Sequence, residues 1–405
     1  LMRLLLIIGC VVLASVNIPA TQSASADAYT RYELVDPASS SFRMIDDVSA
    51  TTAGARFYVD AICQGSDTRD ASAIDQMTGQ PLTVEVVSGD VARKDGMRTA
   101  DLNTRYLKVH LARPVPQGGE TRLRISRTCR DPKTYFVQGD VVVFDRLPGS
   151  TRNAIVLPIG HEVVSTNMPS QVIEEADGRL SLSHWNTAPV AVPMVIRSRK
   201  RPTASAAAQA NVITSPVVMT PGTPAVNPRN ELANLRVMER AIQDREIVYF
   251  LQQPETHSFS LYHDYTEARP GVATYRNVVR GGSTVSDPSA VLLDTGETLK
   301  VETVKEADAE VVIIHFPAVQ AGRSARLRIT ETYTDSGRYG LVNGQLVWNR
   351  NFGRPSNDVV LPEGWSLTDS AIPGVISMEP DGRTRLAFIN PRPDSIDVVL
   401  KARRR

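Results

Sequence analysis

The amino-acid sequence predicts an all-β protein of two homologous antiparallel β-sandwich domains in tandem, and an internal duplication is the first reason. Residues 122–201 are repeated as residues 326–405 at a constant offset of 204, without a gap and with 26 of 80 positions identical. Residues 32–87 are repeated as residues 249–304 at an offset of 217, with 19 of 56 positions identical. The duplicated unit is therefore long enough to be a whole domain.

Short β-branched runs bounded by turn residues are the second reason. Residues 107–111, 141–144 and 311–314 are such runs, and residues 123–125 alternate apolar and basic side chains, as a strand with one solvated face does. Helical periodicity is almost absent, which favours a β-sandwich in each copy. Tight-turn dipeptides also recur at matching places: Thr78-Gly79 with Thr295-Gly296, Gly139-Asp140 with Asn343-Gly344, and Asp177-Gly178 with Asp381-Gly382.

The 405 residues are sufficient for two or three domains. The expected divisions are a signal peptide at 1–26, a first sandwich at 27–201, a linker at 202–229, a short helix at 230–245 and a second sandwich at 246–405. The linker is rich in Ala, Thr, Pro and Val and lacks periodicity. In the helix, Asn230 is the expected cap, and one face is apolar.

The N-terminus has the pattern of a bacterial secretory signal. Arg3 precedes an apolar run at 4–16, and Ala24-Ser25-Ala26 offers a cleavage site. The run is too short for a membrane anchor, so no integral membrane segment is expected after cleavage. The predicted location is secreted or periplasmic. Lipoprotein anchoring at Cys10 is the less favoured alternative, because cleavage there would leave only a stub of apolar sequence.

Two cysteines, Cys63 and Cys129, follow the predicted signal. A pair of cysteines in an exported protein suggests one disulfide, and two buried thiols are the alternative. The second copy has Arg280 and Tyr333 at the matching positions. The bridge is therefore not a requirement of the fold itself.

The first copy also contains an insertion of 13 residues around 88–105, which is polar and rich in Asp, Arg and Lys. It is expected to be a surface loop, where function is often added. The overall charge is balanced, with 45 Lys and Arg against 44 Asp and Glu. No nucleic-acid partner is therefore expected, whereas a protein or an envelope polysaccharide partner remains open.

Both copies open with the same spacing of residues. The first has Tyr32, Leu34, Pro37 and Phe42, matched by Tyr249, Leu251, Pro254 and Phe259 in the second, and each copy continues with a strand, a loop containing Pro and Gly, and another strand. This order resembles the N-terminal β-sandwich of gluzincin-type zinc aminopeptidases and the lumenal N-terminal region of ribophorin I. The resemblance implies a sandwich fold and no transferable catalytic residue, since His161-Glu162 is not followed by the second His of a zinc motif.

No catalytic set is apparent from motifs. The six histidines lack metal-ligand spacing, and P-loop, dinucleotide and serine-nucleophile patterns are not found in the sequence. No metal, cofactor or catalytic residue is assigned. Carboxylates that meet only in space stay open, although Asp131, Asp177 and Glu85, which recur in the second copy, are expected to serve turns.

The aromatic residues supply the candidate ligand contacts. Trp348 aligns with Phe144 on an alternating strand and is expected in the core, and so is Trp185. Trp365 follows a Pro-Glu-Gly loop and aligns with His161, so these two are predicted as exposed contacts.

The resulting hypothesis is an exported, non-catalytic binding or scaffolding protein of the bacterial cell envelope. One alternative is a secreted glycan or peptide hydrolase whose carboxylates meet at the inter-domain cleft. A second alternative, which follows only from the family resemblance, is an accessory subunit of an exported enzyme complex.

Overall fold

The computed structural model describes residues 28–62, 67–188, 190–202, 246–306, 309–392 and 394–405. Within them the chain is nearly all β-strand and forms two similar domains, so the predicted all-β, two-domain class is confirmed. The predicted signal peptide with Cys10, Cys63, the helix at 230–245 and all but the first residue of the linker lie outside the described residues.

Among the described residues, the N-terminal domain contains fifteen strands and one α-helix. The strands are β1 (Tyr29–Leu34), β2 (Ser41–Ala50), β3 (Phe57–Ala61), β4 (Asp67–Asp75), β5 (Pro81–Leu82), β6 (Val84–Ser88), β7 (Arg105–His110), β8 (Thr121–Arg130), β9 (Tyr135–Gln138), β10 (Val141–Arg146), β11 (Arg152–Val156), β12 (His161–Thr166), β13 (Gln171–Glu174), β14 (Leu180–Trp185) and β15 (Met194–Lys200), and the helix is α1 (Gly89–Lys94).

The C-terminal domain repeats the fifteen strands in the same order. They are β16 (Glu246–Leu251), β17 (Ser258–Glu267), β18 (Thr274–Val278), β19 (Thr284–Leu292), β20 (Glu297–Thr298), β21 (Lys300–Glu306), β22 (Ala309–His315), β23 (Ala325–Thr334), β24 (Tyr339–Val342), β25 (Gln345–Phe352), β26 (Ser356–Val360), β27 (Trp365–Ser370), β28 (Val375–Met378), β29 (Thr384–Ile389) and β30 (Ile396–Arg404).

The described residues of each domain form three sheets, one more than a simple two-layer sandwich. In the N-terminal domain the large sheet has the order β13-β14-β11-β1-β2-β8-β4-β5, beside sheets of order β12-β15-β10-β9 and β3-β7-β6. The C-terminal domain has the same three orders with the corresponding strands. The first strand of each domain pairs in parallel with the eleventh, and its other neighbour is antiparallel.

Aromatic side chains occupy the centre of each core. Tyr32, Phe42 and Phe144 contact one another in the N-terminal domain, and all three are fully buried. Tyr249, Phe259 and Trp348 make the equivalent cluster in the C-terminal domain, as expected for Trp348. The period-two alternation that the sequence predicted is seen at residues 123–125 on β8, where Leu123 and Ile125 are buried and Arg124 is exposed.

The predicted tight turns are confirmed by backbone conformation. Gly79, Gly178 and their counterparts Gly296 and Gly382 have φ values from 73° to 84°, a region that glycine adopts without steric cost.

The insertion of the N-terminal domain differs from the predicted polar loop, because it contains α1 and buries part of itself. Ala92 and Ala100 pack with Tyr106 of β7 and are almost completely buried. Gly89 is required at the start of α1, since a Cβ there would lie 2.0 Å from the backbone oxygen of Asp101. The insertion therefore covers the small sheet rather than extending freely into solvent.

Candidate functional site

The two domains contact each other through matching elements of their duplicated halves. Strand β12 contacts β28, and the corresponding strand β27 contacts β13. Ser170 and its own counterpart Gly374 exchange two backbone hydrogen bonds, with N–O distances of 3.0 and 3.2 Å. A residue that contacts its own counterpart lies near a two-fold axis. The interface thus has the pseudo-symmetry of a homodimer, within one chain.

Glu162 is a buried charged residue at this interface. It is 2% exposed, and its carboxylate accepts hydrogen bonds from the Ser366 hydroxyl, from Arg199 at 2.8 Å and from Arg405 at 3.0 Å. Ser366 is the counterpart of Glu162, so the axis passes close to this contact. Buried charge of this kind is stable only when fully paired, and here two guanidinium groups pair with one carboxylate.

A polar groove lies on the C-terminal domain beside this interface. We call it the Gln253 groove. One arm has a volume of about 390 Å³ and a second arm about 380 Å³, and both are bordered by Gln253 and Glu363. The first arm is lined by Phe250, Leu251, Gln252, Gln253, Ser260, Pro362, Glu363, Asp381 and Arg383, and the second by Gln253, Glu255, Glu363, Gly364, Trp365, Arg404 and Arg405.

Strand pairing explains why distant segments meet in the groove. Strand β16, which carries Phe250, pairs with β17 on one side and with β26 on the other. Arg404 at the end of β30 pairs directly with Trp365 at the start of β27. Gln253 connects the two walls, because its Nε2 donates to the Glu363 backbone oxygen at 3.0 Å and its Oε1 accepts from the Trp365 indole at 3.0 Å.

The predicted exposure of Trp365 is wrong. Its side chain is 1% exposed, and the Arg404 guanidinium lies 5.0 Å above the ring centroid. Trp365 therefore lines the second arm of the groove with almost no exposed surface. His161 is partly exposed at the equivalent place in the N-terminal domain, where its Nδ1 lies 3.2 Å from the Ile159 backbone oxygen. Direct ligand contact by either residue stays a prediction.

The expectation that Trp185 lies in the core is also wrong. Trp185 is 67% exposed at the end of β14, and its counterpart Ile389 is 75% exposed. Leu180, Leu182 and His184 face inward on the same strand, so the alternation of the strand directs Trp185 outward. The period-two pattern contained this information, and the general preference of Trp for burial obscured it.

Glu363 differs from the other acidic groups of the groove, because those groups form ion pairs among the described residues and Glu363 does not. Asp381 pairs with Arg383 at 2.7 Å, Glu255 with Arg404 at 2.6 Å, and Arg405 with Glu162. Within the described part of the chain, the exposed Glu363 carboxylate forms no ion pair. The groove therefore presents one unpaired carboxylate between the Gln252 and Gln253 amides and the half-buried Phe250 ring.

The same surface of the N-terminal domain has a different chemistry. Glu33 stands at the position of Phe250 and Arg43 at the position of Ser260. Glu33 pairs with Arg31 at 2.9 Å and approaches Arg43 at 3.9 Å, and Arg31 also pairs with Glu175 at 2.7 Å. These ion pairs satisfy the surface internally. Sequence reasoning did not single out Phe250, Gln253 or Glu363, although their differences from the first copy were visible.

The recurring aspartates serve turns, as the sequence predicted, but Glu85 does not, because it lies on β6 and pairs across the small sheet with Lys108 at 3.1 Å and His110 at 2.9 Å. Asp131 accepts hydrogen bonds from the backbone N–H groups of Lys133 and Thr134. Asp381 accepts the backbone N–H of Arg383 and pairs with its guanidinium, and these bonds hold the pKa of Asp381 below its usual value. Among the described residues, no three His, Cys, Asp or Glu side chains are close enough to hold a metal ion.

Two further predictions concern cysteines and membrane segments. Cys129 is completely buried on β8, whereas Cys63 lies outside the described residues, so their pairing stays a prediction. In the part of the chain that the structure describes, no helix has the length and apolar character needed to span a membrane.

Comparison with known proteins gives a likeness of fold. No protein-family model and no curated protein matches the chain. An M1 zinc metallopeptidase from Deinococcus radiodurans matches with a TM-score of 0.28 and 16% identity over 40% of this chain, which spans 41% of the metallopeptidase. An aminopeptidase N family protein from Idiomarina loihiensis has a TM-score of 0.26 and 10% identity, covering 39% of this chain and 29% of that protein.

A third solved structure matches over a greater length. Collagen adhesin from S. aureus covers 92% of this chain and 91% of its own, with a TM-score of 0.21 and 5% identity. The predicted weak resemblance to zinc aminopeptidases is thus confirmed for the fold alone. The resemblance to ribophorin I stays a prediction.

Proposed function

We propose that the protein is an exported, non-catalytic binding protein of the bacterial cell envelope, and that the Gln253 groove holds its ligand. The observation that carries the proposal is the unpaired Glu363 carboxylate in a groove whose other acidic groups are ion-paired. Side-chain amides and a half-buried ring lie beside it. Convergent polar groups around an aromatic surface are typical of binding sites.

Binding fits the geometry better than hydrolysis at the inter-domain cleft. A general acid needs a raised pKa, and a general base needs free access to its substrate. In the groove, the pKa of Asp381 is lowered by its bonds to Arg383. At the interface, Glu162 is buried and engaged by two arginines and a serine. These carboxylates therefore hold the fold together instead of being poised for proton transfer.

An envelope polysaccharide or an envelope protein is the proposed class of partner. Amide and carboxylate groups hydrogen-bond to hydroxyl groups and to peptide groups alike, and Phe250 adds apolar contact area. The same experiment can separate the two classes, since polysaccharide and protein fractions of the envelope can be offered independently.

The test is binding of the mature two-domain protein to each fraction, beside the variant Phe250→Ser/Glu363→Gln. We expect binding to one fraction and a loss of about tenfold or more in the variant, since two groove contacts are removed. Ile159→Ala is the matched control, because Ile159 is the exposed N-terminal counterpart of Glu363. Equal binding by all three proteins would exclude the groove. Release of new reducing ends or new peptide N-termini would instead favour the hydrolase alternative.

Export can be tested separately. The proposal includes removal of residues 1–26 and a Cys63–Cys129 disulfide formed in an oxidising compartment. Thiol titration of the unfolded, unreduced mature protein should find no free thiol. Two thiols per chain would contradict the disulfide without affecting the groove.

A further inference from the structure

Three arginines converge on the C-terminal domain away from the Gln253 groove. Arg280 follows β18, Arg338 lies in the turn between β23 and β24, and Arg350 lies on β25. Arg280 donates from Nη1 to the Asn351 side-chain oxygen at 2.6 Å, and Arg338 donates from Nη1 to the same oxygen at 3.3 Å. Two cationic groups thus share one neutral acceptor.

The third arginine is deeply buried behind this pair. Arg350 is 8% exposed, and its guanidinium lies 5.0 Å from the Phe259 ring centroid, 5.4 Å from that of Tyr333 and 5.6 Å from that of Tyr249. Its Nε and Nη1 atoms are buried without a hydrogen-bond partner among the described residues. The aromatic faces attract the cation, but they leave these two N–H donors unsatisfied.

The three arginines of the cluster are not matched by direct ion pairs among the described residues, whereas Arg31, Arg127 and other arginines of this chain form such pairs. Three carboxylates lie nearby. Asp335 accepts the Ser283 hydroxyl at 2.8 Å, Asp397 accepts from the Asn351 amide, and buried Glu331, which accepts from Asn277, interacts electrostatically with Arg350. Burial and then the proximity of Arg350 and Arg338 lower the pKa of Arg280 to about 10. Like charges held this closely in a partly buried site repel one another.

We propose that Arg280 and Arg338, backed by Arg350, form a binding site for a phosphate group. A guanidinium presents several N–H donors in a planar fork, and that fork matches the spacing of oxyanion oxygens. Arg280 and Arg338 are half-buried and reachable, so they make the direct contacts. Arg350 adds positive potential from behind them. An oxyanion would replace the shared amide oxygen as acceptor and relieve the repulsion between the arginines.

The N-terminal domain serves as an internal comparison. It keeps the buried arginine as Arg146, which lies 5.5 Å from the Tyr32 ring centroid and 5.6 Å from that of Phe42. Its residues at the positions of Arg338 and Asn351 are Thr134 and Leu147. A buried arginine against aromatic rings is therefore common to both domains. Arg280, Arg338 and Asn351 occur only in the C-terminal domain. The shared fold therefore does not account for these three residues, whereas a bound ligand would.

The experiment is calorimetric titration of the mature two-domain protein with inorganic phosphate at constant ionic strength. We expect one phosphate per chain, and binding weakened by about tenfold or more in Arg338→Gln, because a charge-assisted contact is lost. Arg338→Lys should fall between the two, since it keeps the charge and loses the fork. Arg323→Gln, an exposed arginine outside the cluster, is the matched control and should bind as the unmodified protein does.

Two comparisons complete the test. In the first, glycerol phosphate replaces inorganic phosphate. If glycerol phosphate binds as tightly or more tightly, the ligand is a phosphate group carried on a larger molecule. If only inorganic phosphate binds, the ligand is the free ion. Bound phosphate should also raise the melting temperature of the unmodified protein and not that of a folded Arg338→Gln variant. The proposal is overturned if phosphate gives no more heat than chloride, or if Arg338→Gln binds phosphate as the unmodified protein does.

Discussion

The two domains share one strand order and carry opposite charges at the same buried point. In the N-terminal domain Arg127 on β8 is 2% exposed and pairs with Asp46 at 3.1 Å and Asp60 at 2.7 Å. In the C-terminal domain the counterpart is Glu331 on β23, which is 1% exposed and accepts two hydrogen bonds from Asn277, at 2.9 and 2.8 Å. Asn277 replaces Asp60, so the central residue and its partner have changed together.

This difference shows that the fold requires a satisfied polar group at this position and does not prescribe its sign. The N-terminal solution is a cation between two carboxylates. In the C-terminal solution an amide stabilises the carboxylate, and burial raises the pKa of Glu331 above its usual value. The Arg127 arrangement depends on complete ion pairing. The Glu331 arrangement tolerates partial neutralisation of the carboxylate by a proton.

Removing the cation should therefore have the largest effect. Arg127→Met leaves Asp46 and Asp60 without their common partner, and we expect the free energy of unfolding to fall by about 3–5 kcal/mol. Chemical denaturation measures it. The control is Arg124→Gln on the same strand, which breaks the exposed pair with Asp47 and should cost under about 1 kcal/mol. Similar losses in the two variants would show that burial of the charge is not decisive.

A second comparison concerns one pair of positions in the two domains. The N-terminal domain has Ser170 and His184, and the C-terminal domain has Gly374 and Phe388 at the matching positions. Burial lowers the pKa of His184 from its ordinary 6.5 to about 4. The unfolded chain therefore binds the proton first as pH falls, and stability is lost between pH 6.5 and pH 4, by about 3 kcal/mol at most. The double variant Ser170→Gly/His184→Phe should lack this component. Parallel pH profiles of unfolding for the variant and the unmodified protein would contradict the assignment.

A smaller loss of stability is expected from a substitution at Gly374. A Cβ on Gly374 would lie 2.7 Å from the Phe388 ring, so Gly374→Ala should destabilise the protein by about 1–3 kcal/mol through overpacking. Adding Phe388→His, which reproduces the smaller ring of the N-terminal domain, should recover part of the loss. Gly149→Ala is the control, because a Cβ there meets nothing within 4 Å. Equal melting temperatures of the two alanine variants would refute the steric argument.

The smallest effect is expected at Glu331. Because its folded-state pKa is raised, its stabilising contribution is complete below about pH 4.5 and declines as pH rises through the folded value. Glu331→Gln should remove this decline and make the stability of the C-terminal domain less dependent on pH between 4.5 and 7. Denaturation at several pH values tests it. A steeper pH dependence in the variant would show that the ionised form is the stabilised one.

Local patterns were sufficient to predict much of the fold. The β-branched runs at 141–144 and 311–314 lie in β10 and β22, and the run at 107–111 lies in β7 except for its last residue. The repeated turn glycines adopt the expected conformation. The duplication predicted two equivalent domains, because identical residues at turns and core positions impose the same pairing. The third sheet of each domain was not predicted, since short strands do not reveal which of several neighbours they join.

The candidate site depended on contacts between distant segments, and the sequence could not supply them. Phe250 and Arg383 are brought together by pairing across β16, β26 and β29. Trp365 is buried, with its indole N–H bonded to Gln253 and Arg404 above its ring. A tryptophan after a Pro-Glu-Gly loop looks exposed when only its neighbours in the chain are considered. The insertion was misjudged for a similar reason, because its few apolar residues pack on β7.

The pseudo-two-fold contact at Glu162 has a consequence for how such an interface can evolve. In a dimer of separate identical domains, residue 162 would meet its own copy across the axis. Two glutamates would repel each other there, and two serines would leave both flanking arginines without a carboxylate. Among the described residues, Arg201, the counterpart of Arg405, already lacks a carboxylate partner. Its Nε and Nη2 are buried without a hydrogen-bond partner in the described part of the chain. Joining the domains in one chain allowed the two positions to diverge, so that a contact of like with like became a donor facing an acceptor.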